Sequence, residues 1–207
     1  MKSVAQQCSK LEANNFEQVF KTFRKHYELV PLEVFGSNPF KTLISTILSA
    51  RTKDEVTLEA SRRLFTIAPN LKILSGLDTK ILEKTIYPVG FYKTKAMHLQ
   101  KLAKQTDKIP KTREKLMELP GVGRKTANLV LNRAFGIPAI AVDTHVHRIS
   151  NLLGWVKTKT PEQTEKELIK IIPKKYWPDT NRLFVSIGRQ FTSKKKLEKF
   201  LKKEKLI

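Results

Sequence analysis

Apolar residues recur at spacings of three and four along most of the chain, the signature of amphipathic helices. In "FEQVFKTFRKHYEL" the residues Phe16, Val19, Phe20, Phe23 and Tyr27 follow that spacing. In "PFKTLISTILSA" Leu43, Ile44, Ile47 and Leu48 share one face. The same pattern predicts helices over Lys53–Ile67, Thr79–Ile86, Lys93–Thr106 and Thr112–Glu118. Further along it predicts Lys125–Phe135, Thr144–Leu153, Pro161–Ile171, Trp177–Arg189 and Ser193–Lys205. Pro and Gly mark the breaks, at Pro31, Pro39, Pro69, Gly90, Pro110, Pro120, Gly136, Pro138, Pro161 and Pro173. No convincing set of alternating strands, low-complexity linker or tandem repeat interrupts the series. The expected fold class is all-α with short connections.

Charge narrows the partner. Forty Lys and Arg against 19 Asp and Glu give a net charge of +21, which calls for a polyanion, nucleic acid before an anionic membrane. No apolar run approaches the ~20 residues that span a bilayer. The N-terminal "MKSVAQQCSKLEANN" lacks the apolar middle of a secretory signal, so an intracellular protein is expected. Cys8 is the only cysteine. An intramolecular disulfide, a thiolate zinc site and a four-cysteine iron–sulfur cluster are therefore all excluded. At the other end "SKKKLEKFLKKEKLI" sets Leu197, Phe200 and Leu201 at helical spacing among lysines. It reads as a docked helix with a solvated basic face, or as a tail that contacts phosphate.

The densest chemistry lies in "LPGVGRKTANLVLNRAFGIPAIAVDTHVHR". "LPGVGRK" fits a tight turn between two helices. Gly121 and Gly123 permit unusual dihedrals and a close approach of the backbone. The amides there, with the positive end of the next helix, suit a phosphate oxygen. Such contacts hold a duplex without reading its sequence. Taken alone, such a glycine pair is more often a plain turn; the charge of this chain tips the reading to phosphate binding. Lys125 falls in the first turn of the following helix beside Arg124. The helix dipole and the like charge both favour its neutral amine, as would partial burial. A neutral lysine is a nucleophile for a sugar aldehyde carbon; the plain alternative is one more phosphate-binding lysine. Asp143 follows the apolar "IPAIAV" and is placed to cap the next helix. Its carboxylate could also stabilise a cationic sugar and move protons. Gly136 and Pro138 fold the chain back between the two residues.

These residues resemble the helix–hairpin–helix DNA glycosylases, and within them the endonuclease III branch. The likeness runs through the lysine and "VDTH", reaches upstream to "NPFKTLISTILSARTKDE" and "PVGFYKTKA", and ends more thinly at Gly188–Arg189. It implies two helical lobes with a DNA groove between them. One is a six-helix barrel carrying the hairpin, at 32–137; the other joins 1–31 to 138–207. It implies a damaged base turned out of duplex DNA. Lys125 would attack C1′ with Asp143 assisting, and β-elimination would nick the strand. The implied DNA contacts are Gly121, Val122, Gly123, Arg124 and Thr126 in the hairpin, with Arg51, Phe91, Lys93 and His145 outside it.

Phe91 falls where the family places an apolar wedge, against the alternative of a buried core residue. Arg51 stands where these enzymes commonly have Gln filling the gap left by the extruded base. An arginine there could donate twice to an orphan guanine, or bind phosphate. The family's four closing cysteines are missing from "GRQFTSKKKLEKFLKKEKLI". His145 and His147, two apart on a helix, cannot easily share a metal ion. His145 is expected to hydrogen-bond near the active site or support the Asp143 turn. The resulting expectation is a monomeric glycosylase and abasic-site lyase acting on oxidised pyrimidines, with no cofactor and no membrane partner. The alternatives are the same fold acting on 8-oxoguanine, uracil or a mismatched base, and a non-catalytic DNA-binding module.

Overall fold

A computed structural model describes residues 16–207. Among these residues every regular element is helical and no strand occurs, so the fold is all-α. Cys8 and the N-terminal segment read above lie outside the described residues. Helix α1 covers 16–25. A 3-10 turn at Pro31–Phe35 precedes α2 at Pro39–Ser49, α3 at Asp54–Ile67, α4 at Leu71–Gly76 and α5 at Thr79–Ile86. Helices α6 (Tyr92–Gln105), α7 (Arg113–Met117) and α8 (Arg124–Phe135) follow. The rest is α9 (Thr144–Leu152), α10 (Pro161–Ile171), a 3-10 turn at Lys174–Tyr176, α11 (Trp177–Gln190) and α12 (Lys194–Lys203).

Local chemistry sets most of the starts. Asn38, Asn70, Asp78, Thr112, Asp143, Thr160 and Ser193 each accept a first-turn N–H of the helix they precede. Each such cap contributes about 1 kcal/mol. Helix α4 and the two 3-10 turns were not expected from periodicity. One turn of α4 is too short to show a repeat, although Asn70 and Pro69 mark its start. The last helix also ends before the expected Lys205, because that residue turns left-handed, with φ 55°.

The chain divides into two compact units. One runs from Pro31 to Ala139. The other combines the described residues up to Val30 with Ile140–Ile207. In the first, α2 packs against α3, α6 and α8 and is buried through Leu43, Ile44 and Leu48. Leu64, Leu82, Leu99, Leu102 and Val130 complete this core.

The second unit is built on aromatic rings. Phe20 stacks on Tyr176 at 4.3 Å, Phe16 meets Trp155 edge-on at 4.5 Å, and Phe23 meets Phe184 edge-on at 5.1 Å. Such pairs contribute beyond their buried area. Chain ends remote in sequence are joined here. Arg24 pairs with Asp179 at 2.6 Å, the Glu28 N–H donates to Ser186 Oγ at 2.7 Å, and Gln190 Nε2 donates to His26 O at 2.9 Å. Helix α12 docks through Leu197, Phe200 and Leu201, with Phe200 stacked on Phe191 at 4.4 Å, and leaves its lysines exposed.

Phe184 touches Phe20, Phe23 and Trp155 and has no exposed surface. Phe184→Ala is expected to cost about 3–5 kcal/mol of unfolding free energy. Urea denaturation followed by tryptophan emission measures it, since Trp155 and Trp177 both belong to this unit. A change within experimental error would mean that the ring cluster is not what holds the unit together.

Candidate active site

The glycine turn lies in the Pro31–Ala139 unit, between α7 and α8. Leu119 and Val122 are buried in the core, and the Val122 N–H donates to Leu119 O at 3.1 Å. The turn is thus closed on itself and pinned from beneath. Val122 therefore offers neither a side chain nor an unused amide to a ligand; its part is to anchor the turn. The two glycines differ in what they do. Gly121 has φ +80°, and a Cβ there would come 3.0 Å from His98 Nδ1, so this chain itself requires a glycine. A Cβ on Gly123 would meet no atom within 4 Å, and its φ is an ordinary −94°, so nothing in the described residues requires a glycine there. The first intrahelical bond of α8 runs from the Ala127 N–H to Gly123 O at 2.9 Å. The amides of the preceding first turn therefore lie at the open, positive end of the helix. Arg124 and Lys125 are exposed and Thr126 is half-buried.

Asp143 belongs to the other unit and begins α9. Its Oδ1 accepts the N–H groups of His145 and Val146, each at 2.9 Å, which leaves Oδ2 outside the cap. The side chain is half-buried. His145, in the same first turn, packs on α11 at Gly188, where a Cβ would stand 2.7 Å from His145 Cγ. Only glycine fits there, which gives the "GR" segment a physical reason. His147 points elsewhere: its Nδ1 lies 2.6 Å from Thr164 Oγ1, in a network with Asn151 and Thr158. Among the described residues no group of His, Cys, Asp and Glu could hold a metal ion.

A second cluster lies back in the Pro31–Ala139 unit. Arg51 follows α2 and Phe91 precedes α6. Both are exposed, and the Arg51 guanidinium carbon sits 5.7 Å from the centre of the Phe91 ring. Phe91 is 62% exposed and so is not a core residue. Lys93 is exposed on the first turn of α6. Beneath them is a residue that sequence reading missed. Lys95 is only 6% exposed, and its Nζ donates to Leu48 O at 2.7 Å, Ala50 O at 2.6 Å and Thr52 Oγ1 at 3.3 Å. One signal was present. Lys95 shares the helical stripe of Leu99 and Leu102, where an unsupported lysine does not belong.

A [4Fe–4S] centre held by four thiolates does not fit this chain. Cys8 is the single cysteine, and the stretch after Gly188–Arg189 folds into α12, whose apolar side chains fill the core.

Comparison with known proteins matches the geometry to a family. A family model described as HhH-GPD superfamily base excision DNA repair protein fits residues 44–174. The endonuclease III of Thermotoga maritima is 46% identical over 159 residues, covering 74% of this chain and 75% of that protein. The structure of a non-covalent endonuclease III–DNA complex aligns with a TM-score of 0.78 at 37% identity, covering 89% of this chain and 87% of that one. A trapped endonuclease III–DNA covalent intermediate aligns with a TM-score of 0.71 at 41% identity, covering 75% of this chain and 76% of that one.

Burial lowers the Lys95 ammonium to about 8. In the unfolded chain a lysine keeps its proton to about 10.4. Between those values the unfolded state binds more protons, so this group makes folding more favourable as pH rises. The unfolding free energy of the protein minus that of Lys95→Met is expected to be flat below a pH of about 8 and to climb above it. Denaturant melts across that range would contradict this if the difference fell with pH.

Proposed function

The chain belongs to the HhH-GPD superfamily of base excision DNA repair proteins, and from that premise we propose a DNA glycosylase of the endonuclease III kind that also cleaves abasic sites. The observation that carries the proposal is Lys125, exposed at the open start of α8 behind a glycine turn that this chain leaves clear at Gly123. It falls inside the matched segment 44–174. The substrate is duplex DNA holding an oxidised pyrimidine. Its positive partner is the exposed basic surface of a chain with net charge +21. One chain carries both proposed catalytic residues, which supports action as a monomer.

The chemistry follows from an amine and a carboxylate. The damaged nucleotide leaves the stack, because its glycosidic bond is out of reach within it. The Lys125 amine adds through its nitrogen lone pair to C1′ while the C1′–N bond breaks, and the departing base takes a proton from water. The nitrogen then loses a proton, the C1′–O4′ bond breaks and O4′ takes a proton up as the ring opens, giving an iminium between Nζ and C1′. That cation acidifies C2′. Loss of the C2′ proton expels the 3′ phosphate and nicks the strand, and water then releases the lysine. Asp143 stabilises the developing positive sugar and takes up the amine proton. Arg51, in place of the Gln common in this branch, meets the base left without a partner or the phosphate beside it.

Borohydride reduction of the reaction on duplex containing 5-hydroxyuracil is expected to trap a covalent protein–DNA adduct that Lys125→Ala abolishes. An active protein that yields no adduct refutes the lyase step. Asp143→Asn keeps an equally good helix cap. It is expected to slow single-turnover excision by about 100-fold or more, the scale of general acid–base assistance, with melting behaviour preserved.

A further inference from the structure

Lysine is almost never buried without a carboxylate partner. Lys95 is buried on a different basis. Its three hydrogens go to Leu48 O and Ala50 O, carbonyls at the C-terminal end of α2, and to Thr52 Oγ1. Those carbonyls have no intrahelical donor and carry the negative end of the helix dipole, so an ammonium satisfies both their hydrogen bonding and their charge.

The Thr52 hydroxyl carries the connection further. It accepts the Gly90 N–H at 3.1 Å and lies 3.3 Å from Ala50 O, to which it donates. The turn after α2 is thereby tied to the turn before α6. The two backbones touch: a Cβ on Gly90 would stand 2.5 Å from Arg51 O, so only glycine allows the contact. The residue that each turn presents outward is left-handed without being glycine. Arg51 has φ 52° and Phe91 has φ 58°. Each such conformation crowds the Cβ against the backbone and persists only where its surroundings enforce it. Neither strained residue fills the core; both point to solvent, with the guanidinium over the ring.

We propose that Lys95 is a positioning residue for opening the duplex. Its buried ammonium locks the Arg51 turn against the Phe91 turn, so that guanidinium and ring enter the base stack as a single preformed element. This deepens the glycosylase reading above and rests on it. A lysine that merely completed the end of α2 would support every activity of the protein equally. A positioning lysine supports only those steps in which a stack must be opened.

The test compares two substrates using the full-length protein, Lys95→Met and Thr52→Val. The first is a duplex with 5-hydroxyuracil beside a 2-aminopurine reporter, whose fluorescence rises on unstacking. The second is a single-stranded oligonucleotide with a preformed abasic site, which offers no stack to open. Lys95→Met is expected to lose about 100-fold in single-turnover excision from the duplex, the cost of a misplaced functional group, together with the fluorescence rise. Its cleavage of the single-stranded abasic site stays at the level of the unmodified protein. Thr52→Val, which keeps the lysine but removes the bridge to Gly90, is expected to move in the same direction by a smaller factor. It decides the question alone if Lys95→Met does not fold. Equal losses on both substrates, or no loss on either, overturn the proposal while leaving the glycosylase reading intact. An unmodified protein inactive on both substrates defeats that reading, and this proposal with it.

Discussion

Every α-helix ends on carbonyl oxygens that have no donor within the helix, and a small all-α protein brings several such ends into its interior. This chain meets that constraint with its own surplus of cations. Lys95 takes the end of α2, Arg63 donates to Thr85 O and Tyr87 O at the end of α5, and Arg148 reaches Gly188 O, Phe191 O and Thr192 O at the end of α11. The end of α2 is the buried one, and a buried carbonyl left unsatisfied costs about 1–3 kcal/mol. The net charge of +21 is therefore not wholly a matter of the surface that meets a polyanion. Part of it closes the ends of helices whose loops must hold their shape.

Most of the fold could be read from residue spacing, because helix follows helix and each is amphipathic. Phe20, Phe23, Leu43, Ile44, Leu197 and Leu201 all fall in the core, on the faces their period assigns. What escaped had physical causes. Helix α4 is shorter than a detectable repeat. The left-handed start of α6 at Phe91 breaks the rule that such backbone belongs to Gly or Asn. The aromatic pairings of the terminal unit join residues from opposite ends of the chain, which no local pattern can anticipate.

The site was legible in part. Gly121 and Asp143 take the local roles their types suggest, a strained turn and a helix cap. Val122 shows the opposite case: a residue at the middle of the glycine turn whose own side chain belongs to the core. Lys125 is exposed in the first turn of α8, where Gly123 supplies no side-chain cap. Lys95 was hidden by composition. Among 40 basic residues one more lysine attracts no notice, although its place on the Leu99 and Leu102 stripe sets it apart.

The division of the chain into a continuous unit and a split one governs the order in which it can be made. Residues 31–139 form a complete core and can fold as soon as they leave the ribosome. The apolar face of α1, with Phe16, Val19, Phe20 and Phe23, has its partners at Trp155, Tyr176, Phe184 and Phe200. At about 5–20 residues per second that face waits on the order of ten seconds for its counterparts to be translated. During that interval the nascent chain displays four large side chains beside a finished domain, which makes this helix the segment that a ribosome-associated chaperone has most reason to shield.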